Sequence, residues 1–258
     1  MLILISWRLG LALGLCLVLA SLAACSNLGV RSRHAAAVAA RDPWTWVPVA
    51  GAAVIAATKN DERISQWATA KTPVFGSHEA ASEASDRFRS YASESAWLIF
   101  AAAPPQGEGN WLTEKGSFAS GNLMGLALAR SSVGVLKSAT QRERPNGSST
   151  HDSFPSSHSS DAFAHASLAR YYAGDQQPHQ PLRTGMQWAS NGFAFATAWG
   201  RVEGGFHYPT DVLMGAALAN FTTRFFMRMA EPTARSNWHV RTRMDEYGKV
   251  IIEFGRPL

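Results

Sequence analysis

The sequence predicts an all-α protein, a single helical bundle followed by a short C-terminal β-hairpin. Six segments carry apolar residues at helical spacing with polar residues between them: 47–58, 78–103, 117–140, 159–173, 184–199 and 209–230. Stretches rich in proline and glycine interrupt this pattern at 104–107 and 145–147. Near the C-terminus, the segments 238–244 and 249–254 flank Asp-Glu-Tyr-Gly, and the second contains a Val-Ile-Ile run, which is typical of two strands joined by a turn.

The composition supports one folded core and excludes several classes of site. The chain has 258 residues, of which 46% are hydrophobic and 17% charged, so it is too apolar for disorder. Its two cysteines, Cys16 and Cys25, both lie near the N-terminus, so neither a disulfide scaffold nor a cysteine-ligated zinc or iron–sulfur site is expected. The net charge of +5 suits an anionic substrate or surface but is too diffuse to indicate nucleic acid as a partner.

The N-terminus has the pattern of a targeting segment. Arg8 precedes an apolar run over 9–22, whose 14 residues are fewer than the ~20 that a membrane-spanning helix needs. The run ends in Leu-Ala-Ala-Cys25, which resembles the lipobox of bacterial lipoproteins, where the chain is cut before a cysteine that then carries lipid. We expect a lipoprotein signal peptide over 1–24, lipidation of Cys25 and a periplasmic, lipid-anchored location at the cell envelope; Ser26 favours the outer membrane. An uncleaved anchor with an incidental cysteine is the alternative.

The rest of the chain divides into three predicted parts. Residues 25–42 are small, alanine-rich and basic, and we expect a tether or a loosely packed lead-in helix there. The helical domain is expected over 43–235 and the hairpin extension over 236–258. Trp44 and Trp46 precede an apolar helix and could lie at a membrane interface, although core packing is the commoner environment of tryptophan.

The first of three strings that carry chemistry is Lys137-x6-Arg144-Pro145. Seven residues are about two helical turns, so Lys137 and Arg144 can point to the same side near a helix end. Pro145 disfavours helix at Arg144 and favours a loop there. Two converging cations suit a phosphate group, because arginine offers a planar fork and lysine a compact charge. Two solvated basic residues are the alternative.

The second string is Pro155-Ser156-Ser157-His158, which opens a helix-like run over 159–172. Amide N–H groups at a helix start, together with the positive end of the helix dipole, form an anion site. The Ser156 hydroxyl adds a donor, and His158 could give a proton to a departing oxygen. An ordinary serine-rich helix cap explains the serines equally well, but it does not explain His158.

The third string is Arg201-x5-His207-x3-Asp211. The pair Tyr208-Pro209 predicts a helix that opens at the proline, with Asp211 in its first turn and His207 just outside it. A carboxylate on one ring nitrogen fixes the tautomer and leaves the other nitrogen as a nucleophile, and Arg201 would add a third cation. A helix cap or a surface ion pair is the alternative for this string alone.

The three strings, in this order, resemble the signature of the type-2 phosphatidic acid phosphatase superfamily, which includes bacterial acid phosphatases and vanadium haloperoxidases. Its pattern is Lys-x6-Arg-Pro, then Pro-Ser-Gly-His, then Ser-Arg-x5-His-x3-Asp. The resemblance covers residues 137–211 directly and implies the helical bundle of that superfamily.

The resemblance implies a role for each matching residue. His207 attacks phosphorus to form a phosphohistidine, Asp211 orients it, and His158 protonates the leaving alcohol and then activates water. The phosphoryl oxygens are held by Lys137, Arg144, Arg201, the Ser156 hydroxyl and the amide of Ser157. No metal and no cofactor is implied, because the cations and the amides at the helix start neutralise the developing charge.

Two positions depart from that signature. Ser157 stands where the superfamily has glycine, and Gly200 stands where it has serine before the arginine. Neither is a proposed nucleophile or acid, so we expect both to change the size of the anion pocket rather than the reaction. His151 and Asp152 lie on a loop near the second string and could touch substrate, but a solvated pair is the more ordinary interpretation.

These observations favour a metal-independent phosphatase that acts on phosphorylated lipids or on small phosphomonoesters. The sequence does not separate the two substrate classes. One alternative is a haloperoxidase in which the same cage holds vanadate. Another is a lipoprotein that binds phosphorylated lipid without turnover.

Overall fold

The computed structural model describes residues 28–103, 111–174, 181–230, 239–244 and 250–255. Within these ranges the chain forms eight helices and two short strands. The helices are α1 (Leu28–Arg41), α2 (Pro43–Ala57), α3 (Asp61–Lys71), α4 (His78–Ala102), α5 (Trp111–Thr140), α6 (Ser157–Gly174), α7 (Pro181–Glu203) and α8 (Pro209–Ala230). The strands are β1 (His239–Met244) and β2 (Val250–Gly255). The predicted helical bundle is therefore confirmed for the described part of the chain.

Local sequence chemistry explains where several helices begin. Asp42 caps α2, because its carboxylate accepts a hydrogen bond from the Trp44 amide at 2.9 Å, and Pro43 follows it as the first helical residue. Ser77 caps α4 in the same way, with the Ala80 amide as donor at 3.0 Å. These side chains satisfy amides that a helix start otherwise leaves unpaired.

Two helices lie outside the six predicted segments. Residues 28–41, where a tether or a helix was expected, form α1, and its Ala35 and Ala39 are fully buried. The guanidinium of Arg31 donates to the Met229 carbonyl at 2.8 Å, which fixes α1 to the end of α8. The short helix α3 begins with acidic residues and ends with Lys71, as the helix dipole favours.

The two strands pair antiparallel, with Val240 opposite Phe254 and Thr242 opposite Ile252. Residues 245–249, which join them, lie outside the described residues, so the turn of the predicted hairpin stays a prediction. The predicted signal peptide over 1–24 and the predicted lipidation site Cys25 also lie outside the described residues.

The core forms around α6 and α8, which pack against each other and against most of the other helices. Small side chains permit this close packing: Ala162, Ala164, Ala166 and Ala169 of α6 are all fully buried. Larger apolar side chains fill the space towards the far end of α6, where Phe118, Leu168, Tyr171, Tyr172 and Met227 pack together. None of the helices in the described ranges combines the length and apolar character that crossing a bilayer requires.

Two glycines allow helices to approach closely beside the predicted site. A Cβ atom on Gly215 of α8 would lie 2.6 Å from the Ser156 carbonyl oxygen, so only glycine lets α8 touch the start of α6. A Cβ atom on Gly200 of α7 would lie 2.7 Å from the Ala81 carbonyl oxygen of α4. The first contact fixes α8 against the start of α6, and the second fixes the end of α7 against α4.

Candidate active site

The three strings of the sequence meet at one end of the bundle. Backbone hydrogen bonds hold their segments together: the Asn146 amide donates to the Gly205 carbonyl, and the Ser156 amide donates to the Asp211 carbonyl, both at 3.0 Å. The predicted residues lie at the end of α5 (Lys137), in the α5–α6 loop (Arg144, Ser156), at the start of α6 (Ser157, His158), near the end of α7 (Arg201), in the α7–α8 loop (His207) and in the first turn of α8 (Asp211). All of the predicted site residues that the structure describes are thus brought to one place.

His207 is buried, with only 2% of its surface exposed, and its ring has a defined orientation. Nδ1 lies 2.7 Å from the Ser153 carbonyl oxygen. Because a carbonyl can only accept, Nδ1 carries the proton and donates it, which leaves the lone pair on Nε2. Burial, with the nearby charge of Arg201, lowers the pKa of His207 and keeps the ring neutral. Nε2 is therefore available as a nucleophile.

Asp211 supports this arrangement mainly through an intermediate residue. Its carboxylate lies 3.9 Å from His207 Nδ1, too far for a hydrogen bond, so the expected direct contact between the two side chains is not formed. The same carboxylate accepts from the Ser153 hydroxyl at 2.6 Å and from the Tyr208 amide at 2.8 Å. Burial alone would raise the pKa of Asp211, but the His207 ring and these donors lower it, so it stays ionised.

Arg142 was not identified from the sequence, yet it pairs with two carboxylates beneath the site. It donates to Asp211 at 2.6 Å and to Asp61 of α3 at 2.7 Å, and its guanidinium lies 3.9 Å from the centre of the Tyr208 ring. Asp61 also accepts from the Thr210 amide at 3.0 Å. Arg142 occupies one of the unspecified positions between Lys137 and Arg144, and no pattern in the sequence distinguishes it from its neighbours.

Two of the predicted cations share one carboxylate. Arg144 donates to both oxygens of Asp152, at 2.8 and 2.9 Å, and Lys137 Nζ lies 3.5 Å from that carboxylate and donates to the Asp152 carbonyl. Burial raises the pKa of Asp152, but the hydrogen bonds from Arg144 and the charge of Lys137 outweigh it and bring the pKa to about 2. Burial lowers the pKa of Lys137, and Arg144 adds to that effect. Asp152 is thus paired with both cations, although its side chain is partly exposed.

Arg201 is the third predicted cation, and it is almost fully buried, with 6% of its surface exposed. Its guanidinium lies 3.9 Å from the centre of the Phe206 ring, and no residue among those described hydrogen-bonds its buried Nε. Burial, with a further contribution from Arg144, lowers the pKa of Arg201 to about 10. A buried guanidinium with an unsatisfied donor has strong reason to bind an anion.

His158 stands at the edge of the site, where 27% of its side chain is exposed. Its Nε2 lies 2.8 Å from the carboxylate of Asp86 on α4. Burial and the charges of Arg201 and Arg89 lower the pKa of His158 to about 4, although Asp86 opposes them. Asp86 was not identified from the sequence, since it lies 72 residues before His158 and belongs to no motif.

Ser156 and Ser157 differ in their environments. Ser156 is fully buried, and its hydroxyl accepts a long hydrogen bond of 3.4 Å from the Ser159 amide at the start of α6. Ser157 is the first residue of α6 and is exposed. Their contact with a bound anion stays a prediction.

The expectation for Gly200 is corrected by the structure. The position for a Cβ atom at Gly200 points at Ala81 and Ser85 of α4, 2.7 Å and 3.0 Å away, and not into the anion site. Glycine at this position therefore serves the packing of α7 on α4, and a serine there would collide with the α4 backbone.

No group of three or more histidine, cysteine, aspartate or glutamate side chains within the described residues is arranged to hold a metal ion. The side chains that converge are instead cations around a neutral histidine. Such a cluster can bind a tetrahedral oxyanion and attack its central atom with Nε2.

The chain resembles a known family model and a solved structure. Residues 118–235 match the family model described as the PAP2 superfamily. No curated protein sequence matches the chain. Among solved structures, the chain is similar to the first transmembrane PAP2 type phosphatidylglycerolphosphate phosphatase from Bacillus subtilis, with 20% identity, 75% of this chain and 96% of that chain covered, and a TM-score of 0.46. Residues 118–235, which contain all three strings, are therefore similar to the PAP2 superfamily.

Proposed function

We propose that the protein is a metal-independent phosphatase that hydrolyses lipid phosphates through a phosphohistidine intermediate at the cell envelope. The observation that carries this proposal is the state of His207. Its Nδ1 proton is fixed on the Ser153 carbonyl at 2.7 Å, its Nε2 is available, and the positive charge of Arg201 and Lys137 acts on it.

In the first step, Nε2 of His207 attacks phosphorus and the bond from phosphorus to the ester oxygen breaks. The electron pair stays on the leaving oxygen, which takes a proton from His158. In the second step, His158 removes a proton from water, the water oxygen attacks phosphorus, and the bond from phosphorus to Nε2 breaks. Inorganic phosphate leaves, and both histidines return to their starting protonation states.

The negative charge that builds up on the phosphoryl oxygens meets cations that are already in place. Lys137, Arg144 and Arg201 surround the site, and Arg201 retains a buried donor with no partner among the described residues. The amides at the start of α6 add the positive end of a helix dipole. Preorganised charge of this kind supplies the electrostatic stabilisation that phosphoryl transfer needs.

A phosphorylated lipid is favoured over a small phosphomonoester by an apolar groove of about 590 Å³ beside the site. The groove runs between α2, α3, α7 and α8, and its volume lies within the range of ligand pockets. Val202 and Val212 line it, each adjacent in sequence to a predicted site residue, Arg201 and Asp211. Two of the residues that line the groove, Val47 and Phe195, are exposed apolar side chains. An amphiphilic substrate or a membrane surface suits such a face.

The proposed location rests on the lipobox-like sequence that ends at Cys25. A lipid on this cysteine would keep the catalytic domain at the envelope membrane, where phosphorylated lipids are presented. Incorporation of radiolabelled palmitate into the wild-type protein, but not into Cys25→Ser, is the expected result.

The experiment that tests the proposed reaction is phosphate release by the purified full-length protein. The substrates are a chromogenic phosphomonoester, phosphatidate and a prenyl pyrophosphate, each assayed with and without EDTA. We expect release that resists EDTA, is greatest with a lipid substrate and disappears in His207→Ala, while His151→Ala on the exposed part of the loop retains it. Enzyme quenched in alkali or in SDS should carry a base-stable, acid-labile phosphate on His207.

Two results would count against the proposed phosphatase reaction. No release from any substrate by a folded protein would contradict the proposal and favour a binding role. Bromination that depends on added vanadate would favour the haloperoxidase alternative.

A further inference from the structure

Asp152 makes contacts that a phosphoryl group would be expected to make. Its two carboxylate oxygens accept from Nε and Nη2 of Arg144, at 2.8 and 2.9 Å, which is the planar fork that arginine offers to carboxylates and phosphates alike. One of these oxygens also lies 3.5 Å from Lys137 Nζ. The carboxylate of Asp152 is therefore paired with two of the three cations that are predicted to bind substrate.

We propose that Asp152 takes the place of two phosphoryl oxygens in the unliganded protein and must leave Arg144 when phosphate binds. The proposal rests on the proposed function, because it assigns the phosphoryl group to these cations. It makes Asp152 a competitor that sets the affinity of the site for phosphate.

The side chain of Asp152 can move without the loop that carries it. Its side chain is 41% exposed, so rotation would place the carboxylate in solvent. The peptide group that joins it to Ser153 is held at both of its polar atoms: Lys137 donates to the Asp152 carbonyl, and the Ser153 amide donates to the Arg142 carbonyl at 2.9 Å. The Ser153 carbonyl orients His207. Rotation of the Asp152 side chain does not move this carbonyl, so the nucleophile stays in place.

The charges in the site explain why Asp152 pairs with Arg144 when no phosphate is bound and leaves it when phosphate binds. Without any anion, Lys137, Arg144 and Arg201 would face one another in a partly buried site, and a single carboxylate offsets part of that repulsion. An inorganic phosphate dianion brings twice the charge of the carboxylate and two further oxygens. Phosphate and the Asp152 carboxylate would repel each other if both stayed on Arg144, so binding of the dianion expels the carboxylate.

Binding of inorganic phosphate and of vanadate to the full-length protein tests this proposal. Removing the competing carboxylate in Asp152→Asn should tighten phosphate binding, measured by calorimetry, and competitive inhibition by vanadate, by about tenfold. KM for a chromogenic substrate should fall in parallel, while kcat changes little. Asp152→Ala repeats the test without an amide in place of the carboxylate.

Glu143→Gln is the matched control, because it removes one negative charge from the same loop at a side chain that is 75% exposed. We expect phosphate affinity of this variant to stay within about twofold of wild type, as exposed charges interact weakly. An equal gain in Glu143→Gln and Asp152→Asn would overturn the proposal by attributing the effect to net charge.

Weaker phosphate binding in both Asp152 variants, with lower kcat, would also overturn it and would mean that Asp152 positions Arg144 for the substrate. The calorimetric arm separates this proposal from the proposed function. A protein that binds phosphate more tightly after loss of Asp152 but hydrolyses nothing would retain the first and lose the second.

Discussion

At the scale of single residues, the histidine proposed as the nucleophile is oriented by the peptide backbone. His207 donates to the Ser153 carbonyl, and Asp211 holds Ser153 by its hydroxyl at 2.6 Å rather than holding His207 directly. A neutral acceptor on Nδ1 fixes the tautomer without adding a negative charge next to the incoming phosphate. Asp211 contributes its charge from 3.9 Å, and in the proposed mechanism this charge would stabilise the ring after Nε2 has bonded to phosphorus.

The proposed role of His158 as the acid predicts how kcat/KM depends on pH. His158 must carry a proton to serve as the acid, and burial with the charges of Arg201 and Arg89 sets its pKa at about 4 in the empty site. We therefore expect kcat/KM to fall as pH rises above that value. Asp86 raises the pKa of His158, so Asp86→Asn should move this falling limb to lower pH. The pH profile of kcat/KM for both proteins measures the shift.

Glu83→Gln is the control for Asp86→Asn, since Glu83 is an exposed carboxylate on the same helix. Its pH profile should match that of wild type. A bound phosphate dianion favours the protonated ring, so the limb in kcat should lie at higher pH than the limb in kcat/KM. An unchanged limb in Asp86→Asn would contradict the assignment of His158 as the acid.

The residues that could be predicted from the sequence are those whose spacing within one segment carries information. Lys137 with Arg144, and His207 with Asp211, are such pairs, and the structure brings them together. Asp86 and Asp61 come from α4 and α3, far away in sequence, and reach the site only because the helices pack there. Asp152 lies close to the motif, but its pairing depends on how the loop folds back over Arg144.

At the scale of helices, Gly200 determines how closely α7 approaches α4. A side chain there would overlap the Ala81 carbonyl, at 2.7 Å from the added Cβ. Gly200→Ala should lower the free energy of unfolding by about 1–3 kcal/mol, the usual effect of overpacking. Gly192→Ala is the matched control in the same helix, because nothing lies within 4 Å of its added Cβ.

We expect Gly192→Ala to raise the free energy of unfolding by about 0.5–1 kcal/mol, since alanine favours helix over glycine. Urea denaturation of the two variants measures both changes, which should have opposite signs. Equal and small effects would mean that α4 can shift without cost and that the contact at Gly200 is not tight.

The helices that could be predicted are the long ones with an apolar face. The six segments with helical periodicity correspond to α2, α4, α5, α6, α7 and α8. The helix α3 was missed because its 11 residues are mostly polar, with only Ser65 and Ala68 buried, so periodicity gave no signal. Residues 28–41 were ambiguous for a similar reason, since alanine contributes little contrast between a buried and an exposed face.

At the scale of the whole molecule, polar and apolar binding features lie on either side of the α7–α8 turn. Arg201, His207 and Asp211 belong to the charged site, whereas Val202, Pro209 and Val212 line the apolar groove. Neighbouring residues around the α7–α8 turn thus contribute to the charged site and to the apolar groove. This arrangement gives the bundle an end that can bind a phosphate and a lateral face that can contact hydrocarbon.

That division predicts a substrate-dependent effect of a groove variant. Val47 lines the groove and is 49% exposed, so Val47→Asn should weaken contact with hydrocarbon without reaching the charged site. Hydrolysis of phosphatidate in vesicles should fall about three- to tenfold, the effect expected from losing part of one apolar side chain, while hydrolysis of a soluble chromogenic phosphomonoester stays unchanged.

Val135→Asn on α5 is the control, because Val135 is 67% exposed and does not line the groove. Equal losses on both substrates would point to a folding defect, and equal activity of both variants on vesicles would mean that the groove does not contact the lipid.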